Sequence, residues 1–344
     1  MEDQRPEIDP PPSKRRGLPD EPHRARVALG LLTVVVTAVF SYIAFSNINL
    51  SVAWRGLKAT DYWWLLAALG AWALGNVARS LRWRALFARE RRPSVGAVSN
   101  AMMVGYLYNN IMPARAGEAA RVLVLTRRSA ASATEIVGTV VLERLYDVLG
   151  ILIIFFAAGP WLPRVSWIGT AAGAAIVLIA LIVLASLVLA IFEDRPLLWL
   201  LRPLQRIPRF SRERFEQTVS ELIHGLSGLR HRGSALQALL WTLAAWALTA
   251  LCAYLVSLAL HLHLPASCGV LVAVAVGLSM ILPSPPAAVG VFEGAALIAL
   301  KPYAVPHSSA LPYALVLHLV NFVPFVIAGV YLLHHNARHP AAPT

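Results

Sequence analysis

The stretch Asn109-Asn110-Ile111-Met112-Pro113-Ala114-Arg115-Ala116-Gly117-Glu118-Ala119-Ala120-Arg121 ends an apolar run, breaks it with Pro and Gly, and then places Arg115, Glu118 and Arg121 where a spanning helix would carry Leu. A second stretch, Ile281-Leu282-Pro283-Ser284-Pro285-Pro286-Ala287-Ala288-Val289-Gly290-Val291-Phe292-Glu293, repeats the order of apolar run, Pro, small residues, Gly and Glu. Two interrupted hydrophobic segments, one in each half, are the sequence pattern of a transporter whose site lies between broken helices.

The rest of the chain sets the solvent. It is 58% hydrophobic and 14% charged, with a mean hydropathy of +0.62, whereas a soluble domain is nearer half apolar and a quarter charged. Uncharged runs such as residues 169–192 are long enough to cross a bilayer as helix. The expected class is therefore an all-α polytopic membrane protein. The net charge of +12 gathers at the ends of apolar spans, as the positive-inside rule requires. No groove-reading or aromatic-basic pattern accompanies it, so nucleic acid is not an expected partner. Cys252 and Cys268 have no metal-ligand spacing and form no disulfide framework. No metal or cofactor is expected.

Residues 1–26 are polar and Pro-rich, a composition that cannot bury enough apolar surface to order itself, and read as a disordered cytoplasmic tail. No signal-peptide cleavage site follows them, so residues 27–48 read as an uncleaved outward span. Residues 62–83 return, opened by Tyr62-Trp63-Trp64 at an interface and closed by Arg79, Arg82, Arg84, Arg89, Arg91 and Arg92, a cluster read as marking the cytoplasmic side. Residues 95–112 precede four more arginines, Arg115, Arg121, Arg127 and Arg128, which a full crossing would strand outside. A re-entrant hairpin avoids that conflict, at a depth where irregular backbone must be buried in protein or face a wet cavity. Residues 134–158 span outward and 167–192 return. The Arg-rich loop 193–234 carries Phe215, Val219, Leu222, Ile223, Leu226 and Leu229 on one helical face, fitting either an interfacial helix or a helix packed on the bundle. Residues 236–261 span outward, 268–301 form a second hairpin on the external side, and 310–333 return to a cytoplasmic tail, 334–344. The expected architecture is six full spans and two re-entrant hairpins in an inverted-topology repeat over 27–333, with halves near 27–158 and 167–333 and both termini cytoplasmic.

Within this frame the candidate substrate-binding residues are Asn110, Arg115, Glu118, Arg121, Glu143, Arg144, Asp147 and Glu293, and the hairpin breaks are Pro113, Gly117, Pro283, Pro285 and Gly290. Arg115, Glu118 and Arg121 are three apart, so a helix starting near Pro113 puts them on roughly one face. Its N-terminus and two guanidinium forks suit a phosphate. Charges inside a span cost about 2.5–3.5 kcal/mol each on insertion scales, so Glu143-Arg144-Leu145-Tyr146-Asp147 implies partners or a cavity. The expected pairings are Arg144 with Glu118 or Glu293, and Asp147 with Arg115 or Arg121. His318 and Asn321 read as residues satisfied by hydrogen bonds within or between helices. No nucleophile elbow, phosphate-binding loop, dinucleotide fingerprint or zinc motif occurs.

Asn110-x-x-Pro113-x-Arg115-x-Gly117-Glu118-x-x-Arg121, Glu143-Arg144-x-x-Asp147, and Pro283 to Gly290-x-x-Glu293, in that order, resemble the lysylphosphatidylglycerol synthase transmembrane region, a flippase-like family, over roughly residues 28–333. The resemblance implies a lipid-handling protein of the bacterial or archaeal cytoplasmic membrane, whose relatives move an aminoacylated phospholipid between leaflets or serve hopanoid or polyprenyl-linked glycan pathways. The chain ends at Thr344, without room for the soluble synthase domain, so no synthetic activity is expected. A glycine-rich part of the late motif is replaced by Pro285-Pro286-Ala287-Ala288. The functional expectation is transport of an anionic or phosphate-bearing lipid (phospholipid, aminoacyl-phospholipid or polyprenyl-phosphate-linked). The other reading is an intramembrane enzyme, or an accessory subunit in lipid-linked glycan, hopanoid or phospholipid modification. Membrane lipids are the expected partners, with a separate lipid-modifying enzyme or glycosyltransferase as a candidate. Oligomerisation is left open.

Overall fold

A computed structural model describes residues 60–112, 116–163, 232–280 and 286–338, with a few isolated positions besides. The expected tail, the first span, the span 167–192, the amphipathic loop up to residue 231, and Pro113, Arg115, Pro283 and Pro285 lie outside the described residues.

The described residues form eight α-helices and no strand: α1 (Tyr62–Ala85), α2 (Val95–Ile111), α3 (Ala116–Thr126), α4 (Ala133–Ala158), α5 (Arg232–Ala259), α6 (Ala266–Ser279), α7 (Val291–Leu300) and α8 (His307–Arg338). Several of their starts are chemically marked. The side chains of Asp61, Ser94 and Ser132 accept hydrogen bonds from Trp63, Ala97 and Glu135 N–H at 3.0, 3.1 and 3.1 Å, satisfying donors that a helix start leaves free. Gly233–Ala259 and His307–Asn336 are long and apolar enough to cross a membrane. Helices α1 and α4, at 24 and 26 residues, reach about 36 and 39 Å at the α-helical rise.

The distribution of polarity is inside-out relative to a soluble protein. Outward faces of α1, α5 and α8 expose Leu66, Leu74, Leu240, Ile327 and Val330, while Arg82, Arg121, Glu143, Thr139 and Asn76 are buried. Hydrocarbon outside and paired charge inside is the arrangement a bilayer selects.

Helix α1 packs extensively on α5, α2 on α3, α6 on α7, α8 on α2 and α4 on α6. Exchanging α1 with α5, α2 with α6, α3 with α7 and α4 with α8 carries α1–α5 onto itself and every other extensively contacting pair of the described helices onto another contacting pair. The two halves thus share one packing plan. They also meet at their breaks, because α2 packs against the turn Pro286–Ala288 that precedes α7.

Each break has its own closure. In the first, Asn109 Oδ1 accepts from Gly117 N–H at 2.9 Å. A Cβ on Gly117 would sit 1.9 Å from the Gly105 carbonyl oxygen, so only glycine allows α3 to lie this close to α2. In the second, Ala287 and Ala288 hold φ of 56° and 57°, followed by Gly290 at 82°. Glu293 Oε2 accepts from Gly290 N–H at 2.7 Å, folding the carboxylate over the start of α7.

Candidate functional site

The charged cluster begins with α4. Glu143 and Asp147 are four residues apart and project from one side of the helix. Between them stands Arg82 of α1, donating from Nη2 to Glu143 at 2.7 Å and from Nη1 to Asp147 at 2.5 Å. Its side chain is 1% exposed. On the other side of Glu143, Arg121 of α3 donates from Nη1 to Oε2 at 2.7 Å and ion-pairs with Glu118 at 2.6 Å. Arg121 also lies over the Trp83 ring at 4.8 Å, a cation–π contact, and Trp83 is in turn held by Thr139 at 3.0 Å. Arg144, about a hundred degrees around α4 from Glu143, closes the chain of charges by pairing with Glu118 and, at 3.4 Å, with Asp147. Trp246 of α5 donates to Asp147 at 3.3 Å.

Three arginines therefore face three carboxylates in one continuous network drawn from α1, α3 and α4. Its inner members are sealed, with Arg82, Arg121 and Glu143 all buried. Its outer members are open: the Arg144 side chain is 46% exposed and Glu118 27%. Removing water from charges costs several kcal/mol per ion, which the ion pairs of the network work to offset. Arg82 Nε, Arg121 Nε and Asn110 Nδ2 are buried donors without a hydrogen-bond partner among the described residues.

Several sequence expectations meet this geometry directly. Arg144 takes Glu118, one of its two expected partners, and Glu118 and Arg121 share a face of α3. Asp147 takes Arg82 and the far arm of Arg144 instead of Arg121, while Arg115, its other expected partner, lies outside the described residues. Arg82 corrects the sequence reading most. Its place among Arg79, Arg84 and the loop arginines reads as a marker of the cytoplasmic edge, yet it is the buried hub of the cluster. Arg79 likewise turns inward, donating to Thr249 of α5 at 2.8 Å. The signal that could have found them is the spacing of Asn76, Arg79 and Arg82 along an otherwise apolar helix, which puts polar groups on one inward stripe.

Glu293 stands apart from the arginines. Its Oε1 is 2.5 Å from Nδ1 of His318 on α8, and His318 Nε2 is 3.0 Å from the Ala287 carbonyl oxygen. Phe292 stacks on the imidazole at 4.6 Å and Phe322 meets it edge-on at 5.9 Å. Asn321 bonds within its own helix, to the Leu317 carbonyl at 2.9 Å. Among the described residues, the second break therefore has an acid–imidazole pair of its own, bonded to none of the cluster's members.

A search of curated proteins found no match for the chain. A family model of the lysylphosphatidylglycerol synthase transmembrane region matches residues 27–329, almost the span over which the three sequence blocks carry their resemblance. The match covers most of the chain, which belongs to the lysylphosphatidylglycerol synthase transmembrane region family.

Proposed function

We propose that the protein moves an anionic, phosphate-bearing lipid between the leaflets of the cytoplasmic membrane, taking its headgroup at the Arg144–Glu118 edge of the cluster. The observation that carries this reading is the contrast inside one network: a buried core whose charges are ion-paired, and an outer cation, Arg144, that is half exposed. A headgroup phosphate offers Arg144 the bidentate geometry that guanidinium prefers. It would displace Glu118, which keeps Arg121 as a partner. On release Glu118 returns to Arg144, so the empty site is charge-neutral and resets itself. Asn110 Nδ2 and Arg115 at the first break are further donors for the lipid's oxygens.

The architecture proposed for this cycle is the six-span inverted repeat with two re-entrant hairpins and cytoplasmic termini. The shared packing plan of the halves and the contact between the breaks support it. Rocking of one half against the other about the α1–α5 contact would expose the cluster to either side in turn. A separate enzyme would make or consume the lipid, and this chain would carry it without changing its covalent structure.

The test is headgroup accessibility of fluorescent anionic phospholipid and polyprenyl-phosphate analogues in liposomes holding the purified protein. Wild type is expected to raise the dithionite-quenchable pool above half. Glu118→Gln and Arg144→Gln are expected to slow the exchange by about tenfold or more, the loss of one charge-assisted contact of about 1.5–3 kcal/mol. Wild-type rates in both variants would remove the cluster from the transport path. A change in lipid mass on incubation would place an enzymatic reaction there instead.

A further inference from the structure

We infer that Glu293 and His318 form a proton-binding site at the second break, holding one proton as a carboxylate–imidazolium pair. Counting donors leads there. The Ala287 carbonyl can only accept, so His318 Nε2, 3.0 Å away, carries a hydrogen. His318 Nδ1 and Glu293 Oε1 are 2.5 Å apart, a separation that needs a proton between them. A neutral imidazole has one N–H, and here both ring nitrogens face acceptors. The pair therefore holds one proton more than a neutral histidine beside an ionised glutamate.

Local structure decides where that proton resides. Gly290 N–H donates to Glu293 Oε2 at 2.7 Å, and the positive end of α7 lies beneath it, so the carboxylate form is favoured. The Phe292 face stacked on the ring favours a cationic imidazolium. On α8 itself His307, His334, His335 and Arg338 lie near the two ends of the helix, away from His318, and the other ionisable groups of the packed helices are committed or uncharged. Arg79 and Arg82 of α1 are held by Thr249 and by Glu143 with Asp147, Arg84 donates to the Pro93 carbonyl, and Tyr313 of α8 to that of Ala253. Tyr106 and Tyr108 of α2, Cys252 and Tyr254 of α5, and Cys268 of α6 are neutral side-chain types near pH 7.

Loss of the proton to water would leave neutral His318, with its hydrogen on Nε2, and ionised Glu293. Nδ1 and Oε1 would then be two acceptors in contact, and they repel. Since Glu293 is on α7 and His318 on α8, deprotonation drives those helices apart at the break, while protonation draws them together. If the transport reading holds, this site couples lipid movement to a proton gradient.

Two measurements on the full chain test this separately. In the first, nitrogen-15 NMR follows the histidines of labelled protein in nanodiscs, with His318 assigned by its disappearance in His318→Gln. The expected result is a His318 ring protonated on both nitrogens at about pH 7.5, where a histidine of ordinary pKa, about 6.5, is neutral. Glu293→Gln should return it to a single N–H. A neutral His318 ring in the wild-type protein at about pH 7.5 would overturn the proton site. In the second, liposomes with an imposed pH gradient should show translocation changing by up to about tenfold per pH unit. Glu293→Gln and His318→Gln should lose that response. Translocation indifferent to the gradient would overturn coupling and leave the proton site standing. Absence of translocation of every lipid offered would count against the transport reading alone.

Discussion

At the first break, Glu118 in the opening turn of α3 meets Arg144 of α4, 26 residues further on. At the second, Glu293 in the opening turn of α7 meets His318 of α8, 25 residues further on. Helices α3 and α7, and α4 and α8, correspond when the halves are exchanged, so the same acid–base register is built twice. The chemistry differs. Guanidinium stays protonated in any aqueous condition, so the first break can exchange only its ionic partner. Imidazole titrates near neutrality, so the second can exchange a proton. Exposure separates them further: Arg144 and Glu118 side chains are 46% and 27% exposed, His318 and Glu293 11% and 9%. One break is open to a ligand, the other sealed around its own pair.

The largest effect should come from destroying the support of the first break. Arg82→Ala leaves Glu143 with Arg121 alone and Asp147 with the distant arm of Arg144 and the Trp246 indole, at a position where the arginine side chain is 1% exposed. Removing one partner of a buried ionic network costs about 3–5 kcal/mol. The measurement is thermal unfolding in detergent, where Arg82→Ala should melt far below wild type. Arg82→Lys should recover only part of the loss, since a point charge cannot span both carboxylates. If Arg82→Ala melted like wild type, the network would be ornamental, and the contrast between a built ionic site and a built proton site would fail.

Arg82 also marks how far the sequence can be read. Helical class, the approximate bounds of α1, α2, α4, α5 and α8, and the two breaks follow from apolar runs, Pro and Gly, because those signals are local. Glu143, Arg144 and Asp147 stand out because charge inside a span is costly wherever it points. An arginine near the end of a span is ambiguous. It satisfies the positive-inside pattern equally well in solvent or turned inward, and only Glu143, 61 residues away, decides between them. The pairing of Glu293 with His318 is out of reach for a related reason. A histidine in an apolar helix meets its acid only once two chain segments pack, and no spacing rule within either segment encodes that meeting.

A smaller effect should separate the glycines of the two breaks. Gly117→Ala puts a methyl 1.9 Å from the Gly105 carbonyl oxygen and 2.5 Å from Asn109 Oδ1, both fixed by the closure of the hairpin. Overpacking of this kind costs about 1–3 kcal/mol. At Gly294, directly after Glu293, an added methyl would have nothing within 4 Å. There Gly294→Ala should stabilise α7 by up to about 1 kcal/mol through helix propensity. Unfolding midpoints of the two variants should move in opposite directions. Equal tolerance at both sites would mean that α2 and α3 can separate freely, and that the first hairpin is no more tightly closed than the second.

The smallest effect concerns strain at the second break. Ala287 and Ala288 sit in the left-handed region, at φ of 56° and 57°, beside Gly290 at 82°. A non-glycine residue there costs about 1–2 kcal/mol against its preferred conformations. Glycine would relieve that cost but would add about 0.4–1 kcal/mol of unfolded-chain entropy to be lost on folding. Ala287→Gly should therefore stabilise by about 0.5 kcal/mol, the difference of those two opposing terms. The position matters because the Ala287 carbonyl fixes His318 Nε2. If the alanines hold that carbonyl rigidly toward the ring, Ala287→Gly should raise the melting point slightly while loosening the His318 contact, read as faster exchange of the Nε2 hydrogen in NMR. A lower melting point with unchanged exchange would show that the alanine methyl packs usefully and that the backbone, left-handed or not, is at rest.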